Sequence, residues 1–142
     1  MLSPVFSGDR NFVFDFNQPI VGNGHLGQDS ARTGECAVWT GPGKVTSLFL
    51  PTVPDASLTV FLGVGGYARE SIRDGLKVTV DGEPRSHGFA ARPGLAETIE
   101  FAARPTRSFL RVDLSVPEVC SSSDDQRRRG VSLRNYGYRL SH

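Results

Sequence analysis

The sequence predicts an all-β fold, an antiparallel β-sandwich of jelly-roll type with about eight to nine short strands. Three observations predict it. Sixteen glycines and nine prolines punctuate 142 residues at close intervals, as turns between short strands require. Apolar residues recur at every second position in several segments, the period of a strand that buries one face. No segment carries the wider-spaced apolar stripe of a convincing amphipathic helix. At this length the chain can close one hydrophobic core, and residues 1–142 are read as a single domain.

The first strand is expected at Arg10 to Asn17, where Phe12, Phe14 and Phe16 alternate with Val13, Asp15 and Asn17 and Pro19 follows. A Gly-, Asn- and Asp-rich stretch from Gly22 to Gly34 has no period and reads as a loop. Glu35 to Thr40 and Lys44 to Leu50 are strand-like, and Gly41-Pro42-Gly43 between them suits a reversal, so the two are expected to form a hairpin. Leu58, Val60, Leu62 and Val64 alternate with Thr59, Phe61 and Gly63 in a strand apolar enough to be central and buried on both faces. The charged segment Tyr67 to Gly75 has room for one helical turn.

Leu76, Val78 and Val80 lead into Asp81-Gly82, a pair favoured in type I′ turns. The return arm, Glu83 to Ala91, is interrupted by Gly88 and is expected at a sheet edge. Two more strands follow, Glu97 to Ala103 and Arg107 to Val116, the latter with Leu110, Val112, Leu114 and Val116 inward. Pro117 to Arg129 is a polar loop. In the last strand, Gly130 to Leu140, Val131 and Leu133 are in one phase and Tyr136, Tyr138 and Leu140 in the other, which predicts a bulge near Arg134-Asn135. Phe12, Phe14, Val60, Leu62, Val78, Val80, Val112 and Leu114 are the expected core.

A net charge of +1 supplies no field to attract nucleic acid or an anionic membrane, and Arg127-Arg128-Arg129 lacks interleaved aromatics. No apolar run is long enough for a membrane span. Met1-Leu2-Ser3-Pro4-Val5 lacks the start of a signal peptide, so a cytoplasmic location is expected. Cys36 and Cys120 form no Cys-x-x-Cys pair. They are read as buried thiols, with a long-range disulfide as the other reading.

Catalytic chemistry finds little support. No Gly-x-Ser-x-Gly elbow is present, and His25 with Asp29 and Ser30 is the one histidine-centred arrangement to consider. No pair among the carboxylates is singled out for glycoside chemistry. Asp124-Asp125 lacks the alternating spacing of a calcium loop, so neither metal nor cofactor is expected. Sugar recognition needs an aromatic face and planar polar groups. Trp39, Tyr67, Tyr136 and Tyr138 could supply the first, and Asn23, Asp29, Glu35, Arg69 and Asp125 the second. The stretch from Gly22 to Leu50 holds the single tryptophan and is the expected binding face.

Several short motifs recur in order along the chain: Phe12-x-Phe14, a Gly-rich loop with Glu35 before Trp39-Thr40-x-Gly, Ser47-Leu48-x-Leu50-Pro51, Val78-x-Val80-Asp81-Gly82, and Asp125-x-Arg127-x-x-Gly130-Val131-x-Leu133. This order resembles a group of bacterial β-sandwich accessory domains associated with glycosyltransferases and cell-surface polysaccharide assembly. Ser30 to Gly34 departs from the group's pattern in offering no large aromatic before Glu35. The resemblance implies a non-catalytic, carbohydrate-binding role with Glu35, Trp39, Asp125 and Arg127 at the matching positions.

The expected ligand-binding set is therefore Asn23, His25, Asp29, Glu35, Trp39, Tyr67, Arg69, Asp125 and Arg127, with a glycan or a glycosyltransferase as partner and no catalytic residue. Two alternatives stand beside it. One is an assembly module that self-associates through an edge strand. The other is a small sugar-modifying enzyme acting through His25.

Overall fold

A computed structural model of the chain describes residues 5–6, 11–15, 22–23, 25–30, 36–121 and 127–140, with side chains from Val38 onward. These residues form two antiparallel sheets packed face to face. In chain order the strands are β1 (Val5–Phe6), β2 (Asn11–Asp15), β3 (Gly22–Asn23), β4 (His25–Ser30), β5 (Cys36–Thr40), β6 (Val45–Pro51) and β7 (Leu58–Tyr67). After helix α1 (Glu70–Gly75) come β8 (Lys77–Val80), β9 (Glu83–Arg85), β10 (Gly88–Ala90), β11 (Glu97–Ala103), β12 (Phe109–Ser115) and β13 (Val131–Leu140). Nine of the strands have four residues or more, and the other four have two or three.

The larger sheet runs β1-β2-β13-β7-β11-β10, with β5 paired to β13 and β4 to β5, and the smaller runs β3-β6-β12-β8-β9. Between them lies the core. Val60, Leu62, Ile99, Leu133 and Tyr136 come from the larger sheet and Leu50, Val78, Leu110, Val112 and Leu114 from the smaller, all buried. Six of the eight expected core residues are buried there. The side chains of Phe12 and Phe14 lie outside the described residues, although the register pairs these positions with Tyr138 and Tyr136.

Strand β7 is central, between β13 and β11. Thr59 and Phe61 on its outer side are only half-buried, so it is covered fully on one face rather than two. Asp81 and Gly82, with φ of +50° and +87°, make the two-residue turn that joins β8 to β9. Positive φ at both central residues is what the Asp-Gly pair supplies. The segment beyond it is an edge twice over: β9 borders the smaller sheet and β10 the larger, so the arm crosses from one sheet to the other at Ser86-His87.

Two expectations need correction. Strands β5 and β6 do not pair: β5 lies between β4 and β13 in the larger sheet, and β6 pairs with β12 and β3 in the smaller. Gly41-Pro42-Gly43 is thus a corner between layers. The Gly130 amide donates to Thr40 O and the Val116 amide to Lys44 O, both at 2.9 Å, so each arm is held by a different partner before it can meet the other. Residues 22–30 include β3 and β4, where a loop is expected, because pairing to β6 and β5 uses main-chain N–H and C=O groups, which residues with polar side chains carry like any others.

The phase slip in β13 is a pair of bulges. Ser132 pairs with Gly66, Leu133 with Val64 and Asn135 with Gly63, so the register steps over Gly65 in β7 and Arg134 in β13. One extra residue in each strand restores the original register. The two sit together, since a Cβ on Gly65 would stand 2.7 Å from Arg134 Nε. The slip turns Tyr136 and Tyr138 into the core, and on β7 it brings Tyr67 to the side of its pair partner Val131, which is wholly buried.

Candidate functional site

On the outer face of the larger sheet, three chain segments border an open cavity of about 250 Å³ lined by Phe61, Arg92, Pro93, Leu95, Thr98, Asn135 and Arg139. Alternation along the strands puts Phe61 on the outer side of β7 and Thr98 on the outer side of β11. Asn135 and Arg139 come outward on β13 because the bulge has reset its phase. The connection between β10 and β11 folds over them, held by the Ala96 amide donating to Val64 O at 2.9 Å. Gly63 makes room for Asn135: a Cβ there would lie 2.2 Å from Asn135 Oδ1. That oxygen is buried without a hydrogen-bond donor.

Glu100 anchors the polar side of the site. Its Oε2 accepts from Arg92 Nη2 at 2.9 Å and from Thr98 Oγ1 at 2.8 Å, and its Oε1 accepts from Arg139 Nη2 at 2.8 Å. Burial opposes ionisation of this carboxyl, but the hydrogen bonds from Arg139 and Thr98 and the charges of both arginines outweigh it and hold the group below the usual glutamate range. The result is a ring and an aliphatic side chain beside an amide and two fixed guanidinium groups. Such a hollow can seat a small polar ring by its apolar face and bind its substituents at the edge.

A second polar cluster lies at the end of the sandwich closed by α1, whose Ile72 is wholly buried. Arg73 grips Glu97 with both branches, Nε to Oε2 at 2.7 Å and Nη2 to Oε1 at 3.0 Å, and the Tyr67 hydroxyl donates to Oε2 at 2.5 Å. The Arg73 guanidinium also lies 4.0 Å from the centre of the Phe89 ring, against which His87 packs edge-on. Hydrogen bonds from Arg73 hold Glu97 below its ordinary range. Burial and the bond to Glu97 push Tyr67 far up. Every member is committed to another, so the cluster reads as a structural clasp. Two other hollows, about 400 Å³ beside Lys77, Pro84 and His87 and about 190 Å³ beside Asp81 and Arg104, lie along the exposed β8-β9 edge and hold no six-membered aromatic ring.

The expected ligand-binding residues are dispersed. Trp39 is half-buried on the outer face, beside Ser132, with the Arg129 guanidinium 4.6 Å above its ring. Tyr67 is on the inner side in the clasp. Arg69 precedes α1 and stands 3.9 Å from Glu118 at the surface, while Arg127 is half-buried in the last loop. Asn23, His25 and Asp29 pair through their backbones with Ser47, Thr40 and Ala37, and their side chains, with Glu35 and Asp125 entirely, lie outside the described residues. Tyr136 and Tyr138, offered by the sequence as sugar platforms, are core residues with 2% and 4% exposure. Cys120 carries a free thiol and is half-buried rather than buried as expected, while the side chain of Cys36 lies outside the described residues.

Among the described residues no group of three His, Cys, Asp or Glu side chains converges as metal ligands do, and no helix is long and apolar enough to cross a membrane. Comparison of the chain with protein-family models, curated proteins and solved structures finds no match.

Sequence reasoning missed Phe61, Asn135 and Arg139 as site residues. The signal that could have found them was the phase slip itself: once Tyr136 and Tyr138 turn inward, Asn135 and Arg139 must turn outward beside Phe61.

Proposed function

We propose that this protein is a non-catalytic carbohydrate-binding β-sandwich whose ligand occupies the outer-face cavity rather than the Gly22 to Thr40 region. The observation that carries the reading is the juxtaposition of Phe61 and Leu95 with Asn135, Arg92 and Arg139 around about 250 Å³. An aromatic face beside planar hydrogen-bonding groups is the combination a sugar ring selects. The motif order that resembles glycosyltransferase-associated domains of bacterial surface-polysaccharide assembly supports an accessory role to such an enzyme, in the cytoplasm.

The alternative of assembly through an edge strand draws less support. The β9 edge presents Glu83, Pro84 and Arg85, all exposed, and charge and proline at an edge discourage strand addition. For catalysis through His25, the side chains concerned lie outside the described residues.

A glycan array probed with the purified protein and with Phe61→Ala tests the proposal. Specific hits that Phe61→Ala loses while its circular dichroism matches the parent are expected. A folded parent protein that binds no glycan, or hits unaffected by the substitution, would overturn it.

A further inference from the structure

We infer that the cavity selects an acidic sugar, one whose carboxylate bridges Arg92 and Arg139; the inference rests on the carbohydrate-binding reading. The charges decide it. One carboxylate, Glu100, holds both guanidinium groups, Arg92 on Oε2 and Arg139 on Oε1, so among the described residues the site keeps one positive charge in excess. Glu100 is the sheltered member, its side chain 16% exposed, whereas Arg92 and Arg139 are 43% and 37% exposed and line the hollow.

A guanidinium has five N–H donors in a rigid fork. Arg92 directs Nη1 to Ala91 O and Nη2 to Glu100. Donors remain on both forks. Glu100 thus fixes two cationic groups at the rim before any ligand arrives. Preorganised arginine forks favour carboxylates through paired, charge-assisted bonds.

The size of the hollow limits what sits there. About 250 Å³ falls below the range of roughly 300–1,000 Å³ usual for drug-sized ligands, so the site takes one ring of a chain and leaves its neighbours outside. With the ring against Phe61, its carboxylate reaches the arginines and its hydroxyls reach Asn135. A neutral hexose would bring no anion to the remaining donors of the two arginines.

The test uses uronic-acid oligosaccharides, the same oligosaccharides after reduction of the carboxyl to a primary alcohol, and a sulfated neutral oligosaccharide, titrated calorimetrically against the full chain. The acidic form is expected to bind at least about tenfold more tightly than the reduced form, with an advantage that shrinks as salt is added. Arg92→Gln and Arg139→Gln should each erase that advantage, and Arg139→Lys should keep part of it, which separates charge from folding.

Equal binding of acidic and reduced forms would overturn the inference and leave the carbohydrate reading standing. A stronger response to the sulfated sugar would overturn the carboxylate assignment. If the folded protein binds none of the three and no other glycan, both fall together.

Discussion

The Tyr67 hydroxyl and the Glu97 carboxylate meet at 2.5 Å across two strands of the larger sheet, and the oxygen they share also accepts from Arg73. The pair joins the end of β7 to the start of β11 and fastens α1 over both. Because the tyrosine donates to an anion in a partly buried place, each protonation state in the cluster depends on the others.

Alkaline pH should unfold the protein by way of its tyrosines. Burial, reinforced for Tyr67 by Glu97, raises Tyr67 and Tyr138 and pushes Tyr136 up to about 12. Since the folded values exceed the unfolded value of about 10, their stabilising contribution is complete below pH 10 and is lost as pH rises above it. Tyrosinate absorbance should therefore rise together with the loss of far-ultraviolet circular dichroism. Ionisation near pH 10 in a folded chain would contradict the burial of Tyr136 and Tyr138 and the bond from Tyr67 to Glu97.

Acid should weaken the same architecture through Glu97 and Glu100. Both are lowered in the folded state, so their contribution is present above the unfolded value of about 4.3 and is lost as pH falls through the lower folded values. Urea midpoints measured from pH 6 downward should hold steady and then drop below about pH 4. In Glu97→Gln the drop should be smaller, from a lower starting stability.

Thr40→Val should cost about 1–3 kcal/mol, the penalty for a buried donor deprived of its acceptor. Thr40 Oγ1 accepts from the Val131 amide at 2.9 Å, and both residues are buried. The replacement keeps the shape and removes the acceptor. Equilibrium urea unfolding reads the difference, and an unchanged midpoint would show that Val131 finds another acceptor.

Gly41→Ala should destabilise by about 1–3 kcal/mol or more. Gly41 has φ of +132°, and a Cβ there would stand 2.2 Å from the carbonyl oxygen of Arg128. Gly43, where a Cβ meets nothing within 4 Å, is the control position. Thermal melts of the two alanine variants should separate clearly. Equal melts would mean that the corner yields.

The alternating segments β7, β11 and β12 were legible in the sequence because their periodicity is imposed by the core itself. The Asp81-Gly82 turn was legible because its chemistry is local. Strand β4 was not, since His25 to Ser30 has no apolar rhythm and its pairing is made by the backbone of β5. Nor was the partner of β5: a Gly-Pro-Gly turn reports that the chain bends, and which sheet it bends into is decided by Gly130 and Val116, far along the chain. The site stayed hidden for a similar reason. Phe61 and Arg139 are 78 positions apart in sequence and meet only when β7 pairs with β13.

The position of β13 bears on how the protein is made. It follows the twelve other described strands in sequence, yet it lies in the interior of the larger sheet, with β2 and β5 on one side and β7 on the other. A ribosome that has delivered the first 130 residues has delivered a smaller sheet able to pair fully and a larger one split along its middle. Until residues 131–140 emerge, Leu62 and Val64 lack their neighbours Tyr136 and Leu133. From the emergence of β7 until that of β13, the growing chain thus carries an open apolar seam, and the two strands that wall the cavity meet only when it closes.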